Sequence, residues 1–261
     1  MTGTTALPPS RGLLAVDTVG FTRNPGRHQP ELSAAIPALL ESAFTRCGLA
    51  EVWAARCFPR GTGDGYLIGV PHEHTPYLIT PLLDALQAVL EEQDRHLRAR
   101  DRDLRMRLRV AVHLGSVPHT GTDQDGIGTP TNDTFRLLDS DPVRQAVKDS
   151  NPDVTLLAAI VSQRVFEDVV RAGYTGTLHP DRLDYVTAEV AEKDFAQPAW
   201  LYVPKPSRLP AAATATPPPG SPNAEAGQAA PSGTTIHGNV GTSLSGGTFG
   251  SGLTINGGDV R

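Results

Sequence analysis

GLLAVDTVGF, residues 12–21, is the segment whose reading decides the rest of the chain. Leu13, Leu14, Ala15 and Val16 form an unbroken apolar run, and Gly20-Phe21 closes it. A short apolar run bounded by turn residues is the pattern of a buried strand. Asp17 stands at its end, where the chain leaves the sheet. A carboxylate there either caps the following turn or binds something, and the segment alone leaves both readings open.

Outward from this strand, Leu32, Ile36, Leu39, Leu40 and Phe44 recur at helix spacing and predict a helix over 30–49. Strands are expected over 52–58 and 66–70. Between them Pro59-Arg60-Gly61-Thr62-Gly63-Asp64-Gly65 is a turn by composition, so the pair reads as a hairpin. Residues 75–100 carry one apolar face and a charged far end, a long amphipathic helix. Residues 105–117 alternate and predict a strand. A helix over 132–148, a strand over 154–160, a helix over 162–172 and late strands near 183–187 and 200–203 complete the order. Helices interleaved with strands and a hairpin make an α/β sandwich on a mixed sheet, ferredoxin-like in kind, not a doubly wound parallel sheet.

Composition divides the chain. Hydrophobic residues make up 39% of the 261, and the last sixty are rich in Ala, Pro, Gly, Ser and Thr. The expected organisation is a flexible start (1–10), one catalytic-size domain (11–204), a Pro/Ala-rich linker (205–231) and a Gly/Ser/Thr-rich tail (232–261). A net charge of -5 argues against a nucleic-acid surface. Cys47 and Cys57 lack metal spacing and read as reduced packing thiols. Neither a leader pattern nor an apolar run of membrane length is seen, so a cytoplasmic protein off the membrane is the expectation.

Phosphoryl chemistry on a nucleoside triphosphate asks for two hard divalent ions, and these take carboxylate oxygens. Asp17 at the strand end and Asp64 in the hairpin turn are such a pair if the hairpin lies beside the first strand. Taken singly, Asp64 is an ordinary turn residue, Asn132 a helix N-cap and Arg136 a solvated helix residue.

Taken together, these residues resemble a known family. VDTVGFT (16–22) resembles the first metal motif of class III nucleotidyl cyclases, and RGTGDGYL (60–67) the second. RVAVHLGSV (109–117) resembles the family strand carrying His, Gly and Val, and Asn132-x-x-x-Arg136 its Asn/Arg pair. The resemblance implies a lyase that forms a 3′,5′-cyclic nucleotide and pyrophosphate with two Mg²⁺ or Mn²⁺ ions per site. It implies metal ligation by Asp17 and Asp64, catalytic roles for Asn132 and Arg136, and base contacts from Arg60 and Asp125. Phosphate contacts fall to Gly20, Phe21 and Lys193. It further implies a homodimer with shared active sites and a signalling role, with defence signalling among the settings known for this fold. Arg60 stands where the family usually has Lys, and its planar fork suits a carbonyl-rich base edge, so ATP, GTP, UTP and CTP stay open. The loop before Asp125 is also shorter than usual. The alternative is a nucleotide-binding adaptor that signals through its tail. That tail, TTIHGNVGTSLSGGTFGSGLTINGG (234–258), mixes six large apolar residues with Gly, Ser, Thr and Asn. It resembles amyloid-like signalling motifs that recruit an effector with a matching segment.

Overall fold

The computed structural model describes residues 3–191 and 194–209. In chain order the elements are β1 (Ser10–Thr18), α1 (Gln29–Arg46), α2 (Ala50–Ala54), β2 (Cys57–Gly61), β3 (Gly65–Pro71), α3 (Leu82–Arg100), β4 (Leu108–Ser116), α4 (Thr129–Asp139), α5 (Asp141–Lys148), β5 (Leu157–Ser162), α6 (Gln163–Val165), β6 (Asp184–Val190) and β7 (Phe195–Tyr202). α6 runs on into a π-helical turn, Phe166–Arg171. The strands form one seven-stranded mixed sheet in the order β2-β3-β1-β4-β5-β7-β6. β4 and β5 are parallel and the other pairs antiparallel.

The strand read from GLLAV is buried, and its sheet is covered on both faces. Side chains alternate along a strand. Leu14 and Val16 therefore share a face with Ile68, Val70, Val110 and Val112, which packs on α1 and α3. Ala15 shares the other face with Leu67, Ala111, Ala158 and Ile160, under Leu137, Leu138, Val143 and Val147 of α4 and α5. Each large aliphatic side chain so buried contributes about 1.5–3 kcal/mol. Ala15, Ala111 and Ala158 sit on adjacent strands, and their small volume lets α4 lie close to the sheet.

Several boundaries differ from the sequence expectation. The segment read as a strand from Val52 begins as α2, because Val52 and Trp53 bury against α1, Trp53 packing on Phe44 with ring centroids 5.4 Å apart. β2 starts only at Cys57. The helix expected over 132–148 is two helices, since Ser140 is extended (φ -67°, ψ 151°) between α4 and α5. The helix expected from Thr75 starts at Leu82, after a 3-10 segment, His72–Leu78. Pro198 is accommodated in β7 because β5 pairs only with Ala199–Tyr202, so its missing N–H falls beyond the end of β5.

Residues 205–209 turn back onto the domain: Thr155 Oγ1 donates to the Lys205 carbonyl at 2.6 Å and Leu209 N–H to that of Asp149 at 3.2 Å. The linker beyond this point and the tail at 232–261 lie outside the described residues. No helix among the described residues is long and apolar enough to cross a membrane.

Candidate functional site

β1 ends between β3 and β4, and that arrangement builds the site. In register, Asp17 faces Gly65 on one side and Arg109 on the other. The Thr18 N–H donates to the Asp64 carbonyl at 2.8 Å, which fixes the hairpin turn against the end of β1. The two carboxylates expected to act together are thus neighbours. Gly65 makes the approach feasible: a Cβ there would stand 2.3 Å from the Val16 carbonyl oxygen.

Arg109 is the residue that sequence reasoning missed. Its guanidinium donates to Asp17 Oδ2 through Nε at 3.1 Å and through Nη2, and Nη1 reaches the Leu138 carbonyl at 3.4 Å. Burial pushes the Asp17 carboxyl above its ordinary range; Arg109 opposes that shift, while Asp64 and Asp139 add to it. Two further carboxylates, Asp64 and Asp139, therefore lie within electrostatic reach of Asp17, with Arg109 on Asp17 and Arg144 on Asp139. Mutually repelling carboxylates offering only oxygen are the donor set a hard divalent cation takes. No cluster of three or more His, Cys, Asp or Glu arranged to hold a metal occurs among the described residues. Asp17 and Asp64 would hold such an ion with phosphate and water oxygens completing its shell, the usual manner for Mg²⁺.

After Asp17 the chain turns at Gly20, in the left-handed region (φ 65°), and starts a 3-10 segment, Phe21–Arg23. The first amides of such a segment have no partner within it. Phe21 is anchored by packing on the larger core.

The second group of expected residues lies at the other end of α4. Arg60 Nη2 donates to the Asp125 carbonyl at 3.2 Å, so these two are brought together. The Asp125 carboxylate is turned into its own loop. It accepts from the Thr120 and Gly121 N–H groups, both at 2.7 Å, from Thr120 Oγ1 at 3.1 Å, and lies 2.9 Å from His119 Nδ1. Burial alone would raise its pKa; these hydrogen bonds outweigh it and hold the carboxyl at about 2. A carboxylate has about four lone-pair positions, and all are engaged. A left-handed residue, Phe58 (φ 39°), braces this arrangement from the β2 bulge, its ring 5.9 Å from that of His119.

Asn132 is exposed on α4, and Arg136, one turn on, donates to Asp133 at 2.9 Å. The C-terminal end of α4 meets the Asp17 ion pair through Leu138. Asn132 lies about 10 Å back along the axis at 1.5 Å per residue. Arg136 stands in the last turn of α4, two residues before Leu138, with its guanidinium on Asp133. Lys193 lies outside the described residues. His113, inside β4, is pushed down to about 4 by burial and is neutral at pH 7, in keeping with a core histidine.

No family model matches the sequence, and no curated protein matches it. Among solved structures, a bacterial light-regulated adenylyl cyclase superposes with a TM-score of 0.50 at 12% identity, over 79% of this chain and 55% of that one. The described chain has the fold of a nucleotidyl cyclase domain. An adenylate cyclase from Trypanosoma brucei (TM-score 0.48, 14% identity, 80% of this chain and 94% of that one) and the guanylyl cyclase Cya2 (0.47, 15%, 74% and 90%) are also similar. Within this cyclase fold, β1 and the β2–β3 hairpin carry Asp17 and Asp64, and α4 carries Asn132 and Arg136.

Proposed function

We propose that this chain is a class III nucleotidyl cyclase that converts a nucleoside triphosphate into a 3′,5′-cyclic nucleotide and pyrophosphate as a homodimer with two shared sites. The observation that carries this reading is the pinning of Asp64 to the end of β1, which places two carboxylates side by side where the chain turns through Gly20. Mg²⁺ or Mn²⁺ bound there would supply charge neutralisation and a lowered pKa for the attacking 3′-hydroxyl. Asp17 and Asp64 hold the ions. Arg109, already against Asp17, opposes the rise that burial imposes on that carboxyl. Gly20 and Phe21 let phosphate oxygens approach the backbone. Asn132 orients the ribose and Arg136 meets charge developing on the phosphates. Both come from the second subunit under this reading: within one chain Asn132 is set back along α4 from Asp17, and Arg136 is turned to Asp133.

Base contact falls to Arg60. One of its donors is used on the Asp125 carbonyl, and the rest of the fork suits a base with carbonyl acceptors. Asp125 then acts as the support for Arg60. Signalling through the cyclic product follows from the activity.

The test is incubation of the dimer with each of the four triphosphates and Mn²⁺ or Mg²⁺. Cyclic product that disappears in Asp64→Asn is expected; a folded dimer that makes none from any triphosphate refutes the enzyme. A second reading, a nucleotide-binding adaptor, draws on the Arg109–Asp17 ion pair, in which the guanidinium occupies an oxygen that an ion would need. Under that reading Asp64→Ala leaves downstream signalling intact while nucleotide binding survives. Under the first reading signalling is lost.

A further inference from the structure

Beside the Asp17–Asp64 pair lies a cavity of whose lining the proposed reaction uses only Gly20. It encloses about 540 Å³, within the range of small-molecule sites. It opens where the turn after β1 ends, with Val19 and Gly20 in its wall. Arg23 enters from that turn, Arg105 and Arg107 from the segment before β4, and Arg144 and Lys148 from α5. Against these five cations the described lining offers one carboxylate, Asp103.

Two of the cations have acidic neighbours. Arg105 pairs with Asp153 at 2.5 Å and Arg144 with Asp139 at 3.1 Å. Arg107 is different. Its guanidinium is half-buried and held by neutral acceptors: the Thr155 carbonyl at 2.9 Å, the Val147 carbonyl at 2.9 Å and Ser150 Oγ at 2.7 Å. These bonds fix its position and leave its charge without a hydrogen-bonded carboxylate. Burial disfavours that charge and the neighbouring Arg105 adds to the penalty, which Asp153 and Asp94 offset only in part. A half-buried cation with no carboxylate hydrogen-bonded to it, facing a cavity lined by more cations than carboxylates, is stabilised by an anion entering it. Arginine forks and a lysine suit oxyanions, phosphate above all. The volume accommodates a chain of phosphates.

We propose that this cavity binds a phosphate-chain anion, a pyrophosphate or tripolyphosphate group, through Arg23, Arg107, Arg144 and Lys148. Two sources share that chemistry. One is the far end of the substrate's own phosphate chain and the pyrophosphate it releases, an assignment that rests on the cyclase reading. The other is a free polyphosphate acting as a regulator, which does not.

The experiment is calorimetric titration of the full chain with sodium tripolyphosphate and with pyrophosphate in metal-free buffer. The expected result is saturable binding that weakens with salt. Arg144→Ala combined with Lys148→Ala, both exposed on α5, should weaken it about tenfold or more. Arg164→Ala combined with Arg171→Ala, exposed beyond β5, should leave it unchanged. Absence of binding by the wild-type chain, or equal binding by the Arg144/Lys148 variant with an unaltered melting curve, overturns the proposal. Competition with a nucleoside triphosphate assigns the cavity to the substrate's phosphates; simultaneous binding assigns it to a separate anion. No readout depends on turnover, so tripolyphosphate binding without any cyclic product would defeat the cyclase reading and leave this site standing.

Discussion

Gly65→Ala should damage the fold and the reaction together. Gly65 lies opposite Asp17, and a Cβ on it would stand 2.3 Å from the Val16 carbonyl oxygen, 2.7 Å from Thr62 Oγ1 and 3.4 Å from the Asp17 Cα. Close carbon–oxygen contacts settle at about 3.3–3.6 Å, so β3 must retreat from β1 by about 1 Å. No side-chain rotation relieves a clash with backbone. The retreat also loosens the Thr18–Asp64 bond that keeps the carboxylates together. Overpacking costs about 1–3 kcal/mol and a weakened hydrogen bond about 1 more, roughly 2–4 kcal/mol in all. In a domain of this size that lowers Tm by roughly 4–16 °C. A displacement of about 1 Å at a reacting centre costs on the order of 100-fold in rate. The assays are differential scanning calorimetry and initial rates of cyclic product. Gly61→Ala is the control, since a Cβ there meets nothing within 4 Å. The reasoning is refuted if Gly65→Ala melts within about 1 °C of wild type and turns over normally.

Other expectations follow from the same geometry. Chains carrying Asp64→Asn and chains carrying Arg136→Ala, each inactive alone, should regain about a quarter of wild-type activity when mixed as equal amounts of a two-fold dimer; zero recovery after verified subunit exchange counts against a shared site. Arg109→Ala removes the group that opposes the upward shift of Asp17. The acid limb of the pH–rate profile should then move to higher pH, and an unmoved limb would exclude Asp17 from the ionisation that limits turnover. Asp125 has a depressed pKa, so its support of the 118–127 loop is present above the ordinary carboxylate range and is lost as pH falls through about 2. Asp125→Asn should lack this acid-dependent component, seen as faster amide exchange at Thr120 and Gly121 already at pH 5. Phe58→Ala empties a buried ring site at about 3–5 kcal/mol and leaves the positive φ as strained as before, since only glycine lacks the Cβ; denaturant unfolding measures the loss.

Much of the sheet was legible because its signals are local. The GLLAV run, the Gly-Asp-Gly turn and the alternation before His113 each declare a strand from a few consecutive residues. α2 was not legible. Five residues cannot display a helical period, and AEVWA becomes helical by packing Trp53 on α1. The break at Ser140 did have a signal: Asp139-Ser140-Asp141-Pro142 combines an N-cap residue with a proline in the first turn. Asp17 and Asp64 could be paired from sequence because both end strands. Arg109 could not be tied to Asp17, since the contact depends on the register of β1 against β4, ninety-two residues apart. The basic cavity is harder still, drawing side chains from three separate segments.

The placement of α4 bears on how two sites would communicate. α4 is an eleven-residue rod about 16 Å long. Its last turn, which includes Arg136, leans on the Arg109–Asp17 ion pair of its own chain, while its first turn carries the exposed Asn132. In the proposed dimer each rod would therefore have one end in each reaction centre. Filling one centre loads a lever whose other end lies in the second. The pair would behave as a coupled balance, with a Hill coefficient for substrate that departs from one, and shortening the rod by a turn would uncouple them before it unfolded either.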